Sequence, residues 1–582
     1  MKRKINQYLT YVLTLALTLS VASCELFDLD INEDPNNPVE ASLDLLLANT
    51  LLRSSEIFGD DLNEYTHGFV SAITTGDRFD INNTTFNLDW LELYYGPMKD
   101  LEELINIAEE QGNNPHYLGI GQLLKAYYFS LMVDLWGDIP YSEALNGDAE
   151  EIIKYPSYDD DAAVYQDLIS LIDQGIANLN LPTPVTIEGD PIYGGDADQW
   201  IKMANSLKLR LLINTRRVQD NTEAITALIS LGEAGLILDG SGADDFTFQF
   251  SSIVNPENEN RHPWYVDAYS GSENGFEYFG NQFMVEMLAF EDPRRPFYMV
   301  RQTETVLDQD NTTERQNTPC SQVTGCTYGY LVLNNNIIDR LYNNKGRTFG
   351  ADDEAFLAGI FGRDRSDPSG IPLDGSLRTA LGAYPAGGLF DDGSIVTVGN
   401  NLGNGGGIFP MITSEMVKFY MIEAMLTLGV PGNPRELLEE IMNEHITKVA
   451  NFASNINQYT PADTLDAVYI NKPMEEATAN YVNLFLTRYD NAPTNEGKLN
   501  VVLKQAWFTN FGNGFEMYNA FRRTGYPSDL QEPIQPTVRQ FALRLPYAQD
   551  DLTFNQNAPE SPAPFDQPGG GVFWDVLNYQ FQ

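Results

Sequence analysis

Two segments of this chain combine flat rings with carboxylates, amides and a guanidinium, the side chains that suit a polyhydroxylated ligand. One is Thr75-Gly76-Asp77-Arg78-Phe79-Asp80, and the other is Arg261-His262-Pro263-Trp264-Tyr265-Val266-Asp267-Ala268-Tyr269. Aromatic faces cover the apolar face of a sugar, and carboxylates and amides take its hydroxyl hydrogen bonds. On that chemistry Asp77, Arg78, Phe79, Trp264, Tyr265 and Tyr269 are the candidate ligand-binding residues. The competing reading is that these aromatics anchor their loops against a scaffold, since large rings are so often core. Catalytic chemistry has no comparable signature. Neither Gly-x-Ser-x-Gly nor His-Glu-x-x-His occurs, and with 82 acidic residues close carboxylate pairs arise by chance and do not indicate a glycosidase.

Cys24 is the other chemically committed residue. Lys2, Arg3 and Lys4 form a positive start, an apolar run from Tyr8 to Ala22 follows, and small residues lead into the cysteine. This is the grammar of a cleaved signal peptide, and the run falls short of the roughly 20 apolar residues a membrane span needs. Val21-Ala22-Ser23-Cys24 resembles a lipobox, in which the cysteine thiol is acylated before cleavage. Residues 1–23 are thus expected to be a signal peptide and Cys24 the lipidation site, its acyl chains anchoring the protein without a spanning helix. The Asn- and Pro-broken stretch 24–40 reads as a tether. Its acidic residues Glu25, Asp28 and Asp30 resemble an export signal to the outer leaflet, so an outward-facing orientation is expected.

Only Cys320 and Cys326 remain, in a polar loop, and an oxidising compartment would let them form a local disulfide, with two free thiols as the alternative. No metal is expected. Histidines lie far from the cysteines in sequence, and Asp308, Asp310, Asn311 and Glu314 resemble the start of a calcium loop but lack the glycine and distal glutamate of an EF-hand, which leaves calcium open without supporting it. Gly403 to Gly407 lacks the lysine and spacing of a phosphate cradle and reads as a flexible loop, so no cofactor is expected.

Positioning these residues falls to a chain of 582 residues, 43% hydrophobic and 12% aromatic, enough for a large packed core. The net charge of -47 opposes binding to nucleic acid or anionic lipid headgroups. No linker divides the chain after residue 40, so 41–582 is expected to be one unit, mainly helical, with a loop-rich insertion at about 240–410. Leu124, Tyr127, Leu131 and Leu135 recur at helical spacing and end in Leu135-Trp136-Gly137-Asp138-Ile139-Pro140, a stop and rigid turn. Further helices are expected over about Ala163 to Leu179, around Trp200 to Leu211, over Ser414 to Leu428 and over Pro434 to Val449. One more is expected to carry Leu503, Trp507, Phe511, Phe515, Tyr518 and Phe521 as a single stripe, with Gly512 and Gly514 packed closely against a neighbouring backbone. Trp136, Trp200 and Trp507 lie on such stripes and are expected in the core, and Arg522 and Arg523 are expected to cap the helix or pair internally.

The lipobox at Cys24, Asn32 to Pro38, the Leu123 to Pro140 helix and stop, Tyr420 to Leu428, and Trp507 to Pro527 together resemble the SusD/RagB outer-membrane nutrient-binding lipoproteins. The pieces are spread along almost the whole chain. The resemblance implies a tetratricopeptide-like scaffold of helix pairs with an irregular ligand face. It implies a non-enzymatic protein that caps a TonB-dependent, SusC-like barrel and delivers an oligosaccharide, peptide or other nutrient to it. It does not name the nutrient. The residues by themselves leave open a secreted hydrolase or a structural helical scaffold or adhesin.

Overall fold

The computed structural model describes residues 42–74, 81–145, 152–254, 259–270, 276–301, 362–363, 365, 379–393, 402–460, 465, 472–531, 533, 541–560 and 570–577. Cys24, Asp77, Arg78, Phe79, the Asp308 to Glu314 segment, Cys320 and Cys326 lie outside them.

The chain opens with α1 (Leu43–Gly59), α2 (Asp61–Phe69), α3 (Asn87–Tyr95), α4 (Pro97–Gln111) and α5 (Pro115–Trp136), followed by α6 (Asp161–Leu179), α7 (Ala197–Thr215) and α8 (Thr222–Ile229). Three short helices come next: α9 (Pro263–Tyr269), α10 (Asn281–Ala289) and α11 (Arg295–Tyr298). The last part holds α12 (Ser414–Leu428), α13 (Pro434–Asn455), α14 (Met474–Asn491), α15 (Asn495–Thr509), α16 (Gly514–Thr524) and α17 (Gln549–Phe554). The strands are short and pair in twos, antiparallel: β1 (Ile73–Thr74) with β5 (Tyr278–Phe279), β2 (Ile139–Pro140) with β3 (Tyr158–Asp159), β4 (Phe246–Gln249) with β8 (Ile408–Ile412), and β6 (Met299–Val300) with β7 (Ala380–Leu381).

Successive helices pair antiparallel: α4 with α5, α6 with α7, α12 with α13, and α14 with α15. Side-chain links show the direction: Glu102 meets Lys125, Tyr165 near the start of α6 meets Asn214 near the end of α7, Glu415 meets Lys448, and Tyr481 meets Gln505. The architecture is mainly helical and tetratricopeptide-like. At the crossing of α5 and α6 two glycines face each other. A β-carbon on Gly119 would lie 2.9 Å from the Gly175 carbonyl oxygen, and one on Gly175 would lie 2.8 Å from a Leu123 methyl. These helices therefore approach on backbone, and their flanking Leu123, Tyr165, Leu168 and Ile172 are buried. A single apolar core cluster extends from Leu46 to Trp574.

The expected stripe from Leu503 to Phe521 is buried along its length, but it spans two helices, not one. Gly512 sits at φ +105°, outside helical geometry, and Asn513 restarts the chain as the cap of α16, its side chain accepting the Glu516 N–H at 3.1 Å. Gly514 packs against backbone, since a β-carbon there would lie 2.6 Å from the Asn63 carbonyl oxygen, whereas one on Gly512 would meet the Pro385 and Pro410 rings at 2.9 and 3.3 Å. A β-carbon on Gly514 would come within 2.4 Å of His67 and Thr66 of α2, and Asn63 and His67 hold this corner, accepting the Gly514 and Gly512 N–H groups at 2.7 and 3.1 Å. Because His67 Nε2 accepts, its Nδ1 donates to the Asn63 carbonyl at 2.7 Å. Burial holds this ring neutral, its pKa lowered to about 4. The 240–410 region contains α9, α10 and α11 in addition to the expected loops and strands. Gly403 to Gly407 is not loose: its backbone bonds Gly387 and His262, and a β-carbon on Gly405 would strike the Tyr265 ring at 2.6 Å. Glycine is required there by contact.

At the centre, Arg210 of α7 donates to Asp134 of α5 at 2.8 Å and to Glu516 of α16 at 2.5 Å, all three nearly fully buried. Asp134 also accepts from Asn519 at 2.8 Å, from the Trp574 indole at 3.1 Å and from Tyr165, while Tyr420 donates to Glu516. Arg523 forks onto Glu423 of α12 at 2.8 and 2.9 Å and reaches Asn214 at 2.7 Å. Burial alone would raise the Glu423 pKa, but Arg523 and Arg216 hold it below the usual carboxylate range. Arg522 donates to the Leu543 and Asp134 carbonyls at 2.8 and 2.6 Å. Both arginines are thus internal ties, as their place in the sequence suggested. Arg210→Met should lower unfolding free energy by about 3–5 kcal/mol, because it strands two buried carboxylates. Urea denaturation followed by circular dichroism measures this, and a loss below 1 kcal/mol, the range of an exposed pair, would contradict a central role.

Candidate functional site

α9 begins where His262 caps it, Nδ1 accepting the Trp264 N–H at 3.2 Å, with Pro263 as its first residue. Burial lowers the His262 pKa to about 3, so this cap is neutral. From that start the helix turns Trp264, Tyr265 and Tyr269 inward. Each is at most 1% exposed. Trp264 packs against His67, Phe276 and Phe511, with ring centroids 5.2, 5.4 and 6.0 Å away. Tyr265 stacks on Tyr269 at 5.1 Å, and the Tyr269 hydroxyl donates to the Leu381 carbonyl. The ring faces expected to stack on a ligand are therefore packed against protein, and the structure gives these three residues the anchoring position. The physical reason is the capped start at His262, which fixes which face of a two-turn helix meets the core.

The outer face of the same helix is different. Pro263, Val266 and Asp267 border a cleft of about 340 Å³ with Glu259 and Arg261, with Arg53, Glu56 and Ile57 from α1, with Asp60 between α1 and α2, and with Asp89 and Glu92 from α3. The sequence segment containing Arg261 and Asp267 thus reaches an open surface through other side chains than those singled out. β1, whose end leads to Asp77, Arg78 and Phe79, pairs with β5 just beyond α9 (Ile73 opposite Phe279). The flanks of the two segments are brought to one corner of the molecule.

The cleft is strongly acidic. Arg53 is held between Glu56 at 2.6 Å and Glu92 at 3.5 Å, and Arg261 bonds Glu259 at 2.6 Å while lying 5.1 Å from the Tyr265 ring centroid. Carboxylate oxygens of Asp60, Glu64 and Asp267 lie within 4.8 Å of one another. Burial, with the neighbouring charges of Asp61 and Glu92, pushes the Asp89 pKa up to about 7, and burial raises Glu56 despite Arg53. Such an arrangement accepts hydrogen bonds from hydroxyl or amino groups. A second gathering, Asp138, Asp160 and Asp161, is structural: Asp160 caps α6 through the Ala163 N–H, Asp138 accepts from Asp161 N–H, and Asp161 accepts from Phe573 N–H. Arg53, Glu56, Asp60, Asp89 and Glu92 were not singled out from sequence. The available signal was their spacing of three residues, which places Arg53 and Glu56 on one helical face and Asp89 and Glu92 on another.

Helix pairs of this kind, with a lateral cleft fed by irregular segments, define a tetratricopeptide-like binding scaffold. Residues 37–343 match the family model described as "Starch-binding associating with outer membrane", and residues 406–569 match "Susd and RagB outer membrane lipoprotein". The chain belongs to the SusD/RagB family. Among solved structures, a SusD homologue from Bacteroides fragilis is 17% identical with a TM-score of 0.62, covering 92% of this chain and 99% of its own. A chitin-binding protein is 17% identical with a TM-score of 0.63 over 92% of this chain and all of its own. A chitin-binding SusD homologue from Flavobacterium johnsoniae is 18% identical with a TM-score of 0.57, over 92% and 98%. No curated protein matches the sequence. Among the described residues no helix is long and apolar enough to cross a membrane.

Asp89 provides a test of the cleft electrostatics. Its folded carboxyl keeps its proton up to about pH 7, whereas an unfolded aspartate releases it near 4, so stability attributable to this group is lost as pH rises between those values. Asp89→Asn should therefore melt higher than the parent at pH 8, with the gap closing by pH 4. A gap of equal size at both pH values would assign the effect to something other than ionisation.

Proposed function

We propose that this protein is a lipid-anchored receptor at the cell surface that binds a nutrient in the acidic cleft between α1, α3 and α9 and passes it, chemically unchanged, to a TonB-dependent, SusC-like barrel. Family membership supports the outer-membrane, nutrient-binding part of this reading. The single observation that carries the assignment to this cleft is the convergence of Arg261, Asp267, Glu92 and Asp89 on one open surface. The cleft offers hydrogen-bond acceptors and two guanidinium groups. A neutral oligosaccharide or a peptide with a free amino group suits it. An anionic ligand does not, given the net charge of -47. The chitin-binding and starch-binding names of the relatives select the first compounds to try.

Calorimetry with maltohexaose, chitohexaose and a short unblocked peptide should yield binding by at least one of them. The double variant Glu92→Gln, Asp267→Asn should lower that affinity about tenfold, the loss of roughly 1.4 kcal/mol expected at a binding hot spot, with unchanged melting. Chromatography of the same mixtures should recover the ligand intact. Turnover that persists through repurification would overturn the receptor reading in favour of a hydrolase.

The anchor follows from the N-terminal residues: 1–23 removed, Cys24 acylated, and 24–40 serving as tether. Cys320 and Cys326 close a small disulfide loop in the exported chain. Intact mass of protein extracted from outer membranes, before and after reduction, reads both features. Cys24→Ala should lose the acyl mass and leave the membrane fraction, and acylated Cys24→Ala protein would sink the anchor assignment.

A further inference from the structure

α3 has a second exposed side. Opposite Asp89 and Glu92, the residues Trp90, Leu91, Tyr94 and Tyr95 line a groove of about 380 Å³ with Lys99, Pro140, Glu143, Ala144, Leu145, Ile153, Pro156 and Asp551. Two of its apolar side chains are open to solvent: Tyr95 is 68% exposed and Ile153 40%. An apolar patch of this kind, rimmed by charge, marks a recognition surface.

The groove is built in advance. Its floor is Trp90, buried and packed against Tyr94 at 5.2 Å, Trp136 at 5.2 Å and Tyr158 at 6.1 Å. The Tyr94 hydroxyl donates to the Pro140 carbonyl at 2.7 Å, fixing that ring. One wall is tied down from the C-terminal part of the chain, where Asn555 and Asn557 donate to the Pro156 and Tyr155 carbonyls at 2.9 and 2.6 Å and Tyr158 donates to Asp551. The other wall is fixed by Ser157 N–H on Glu143 at 2.8 Å and by Lys99 on the Leu145 carbonyl at 3.2 Å. A site whose walls are set before the ligand arrives loses little in ordering on binding.

We propose that this groove is a second saccharide-binding surface, separate from the acidic cleft across α3, and that it takes one or two rings of a neutral oligosaccharide. Only the ligand class rests on the receptor reading; the site stands on its own geometry. Tyr95 offers an exposed ring for stacking, Glu143 and Asp551 accept from hydroxyls, and the volume is that of a small-ligand site. A wholly apolar ligand would strip water from both carboxylates without replacing its hydrogen bonds. An acidic sugar would meet those carboxylates as like charges.

Saturation-transfer NMR and calorimetry on the full mature chain, with maltohexaose, chitohexaose and the acidic oligogalacturonate as probes, test this. Tyr95→Ala should weaken the groove step about tenfold and leave the step sensitive to Glu92→Gln, Asp267→Asn in place. Tyr95→Trp, which keeps a ring, should retain the affinity and guards against a folding defect in the alanine variant. The oligogalacturonate should show neither step. Neutral-probe binding unaltered by Tyr95→Ala overturns the groove and leaves the receptor reading intact. A chain that binds the peptide but neither neutral saccharide likewise overturns the groove alone, and one that binds none of the probes overturns both.

Discussion

Everything in this scaffold turns on Arg210, a guanidinium with 1% of its side chain exposed, held between Asp134 and Glu516. The helices that supply these groups are distant in sequence, and the shell of Tyr165, Tyr420, Asn519 and Trp574 draws in α6, α12 and the C-terminal segment. Removing charged groups from water is expensive, and the cost is recovered only when geometry is good and remaining lone pairs find donors. Here Asp134 has several donors. The network therefore acts less as a source of net stability than as a register device: helices displaced by a turn would leave a buried charge without its partner.

The acidic character of the chain has two faces once this centre is recognised. Inside, carboxylates such as Glu423, Glu516 and Asp391 sit opposite arginines. Outside, excess carboxylates gather in the cleft beside α9, where Asp89 holds its proton unusually well because it is buried and because Asp61 and Glu92 are near. The surface field excludes polyanions, while local acceptors welcome neutral hydroxyls or ammonium groups.

The scaffold was largely legible in the sequence, because helical spacing of apolar residues follows directly from burial of one face. Leu124, Tyr127, Leu131 and Leu135 are all buried as that spacing required, and Gly137 sits at φ +78° at the stop. Periodicity misled where one apolar stripe crossed a break: Phe511 and Phe515 face the same core although Gly512 and Asn513 interrupt the helix. The site was harder to read. An aromatic residue looks alike in sequence whether its ring faces solvent or the core, and Trp264 is decided by a cap two residues earlier. Arg53, Glu92 and Asp267 converge across more than two hundred residues of chain, a proximity no local pattern carries.

The facing glycines of α5 and α6 have a mechanical meaning. Side chains between helices can change rotamer and let the pair slide or rock, but a contact made by backbone on backbone has no such freedom. Gly119 and Gly175 thus form a fixed bearing between the first and second helix pairs. The clefts on either side of α3 are mounted on that stiff end of the solenoid. Relative motion of the first two helix pairs is therefore restricted at this contact.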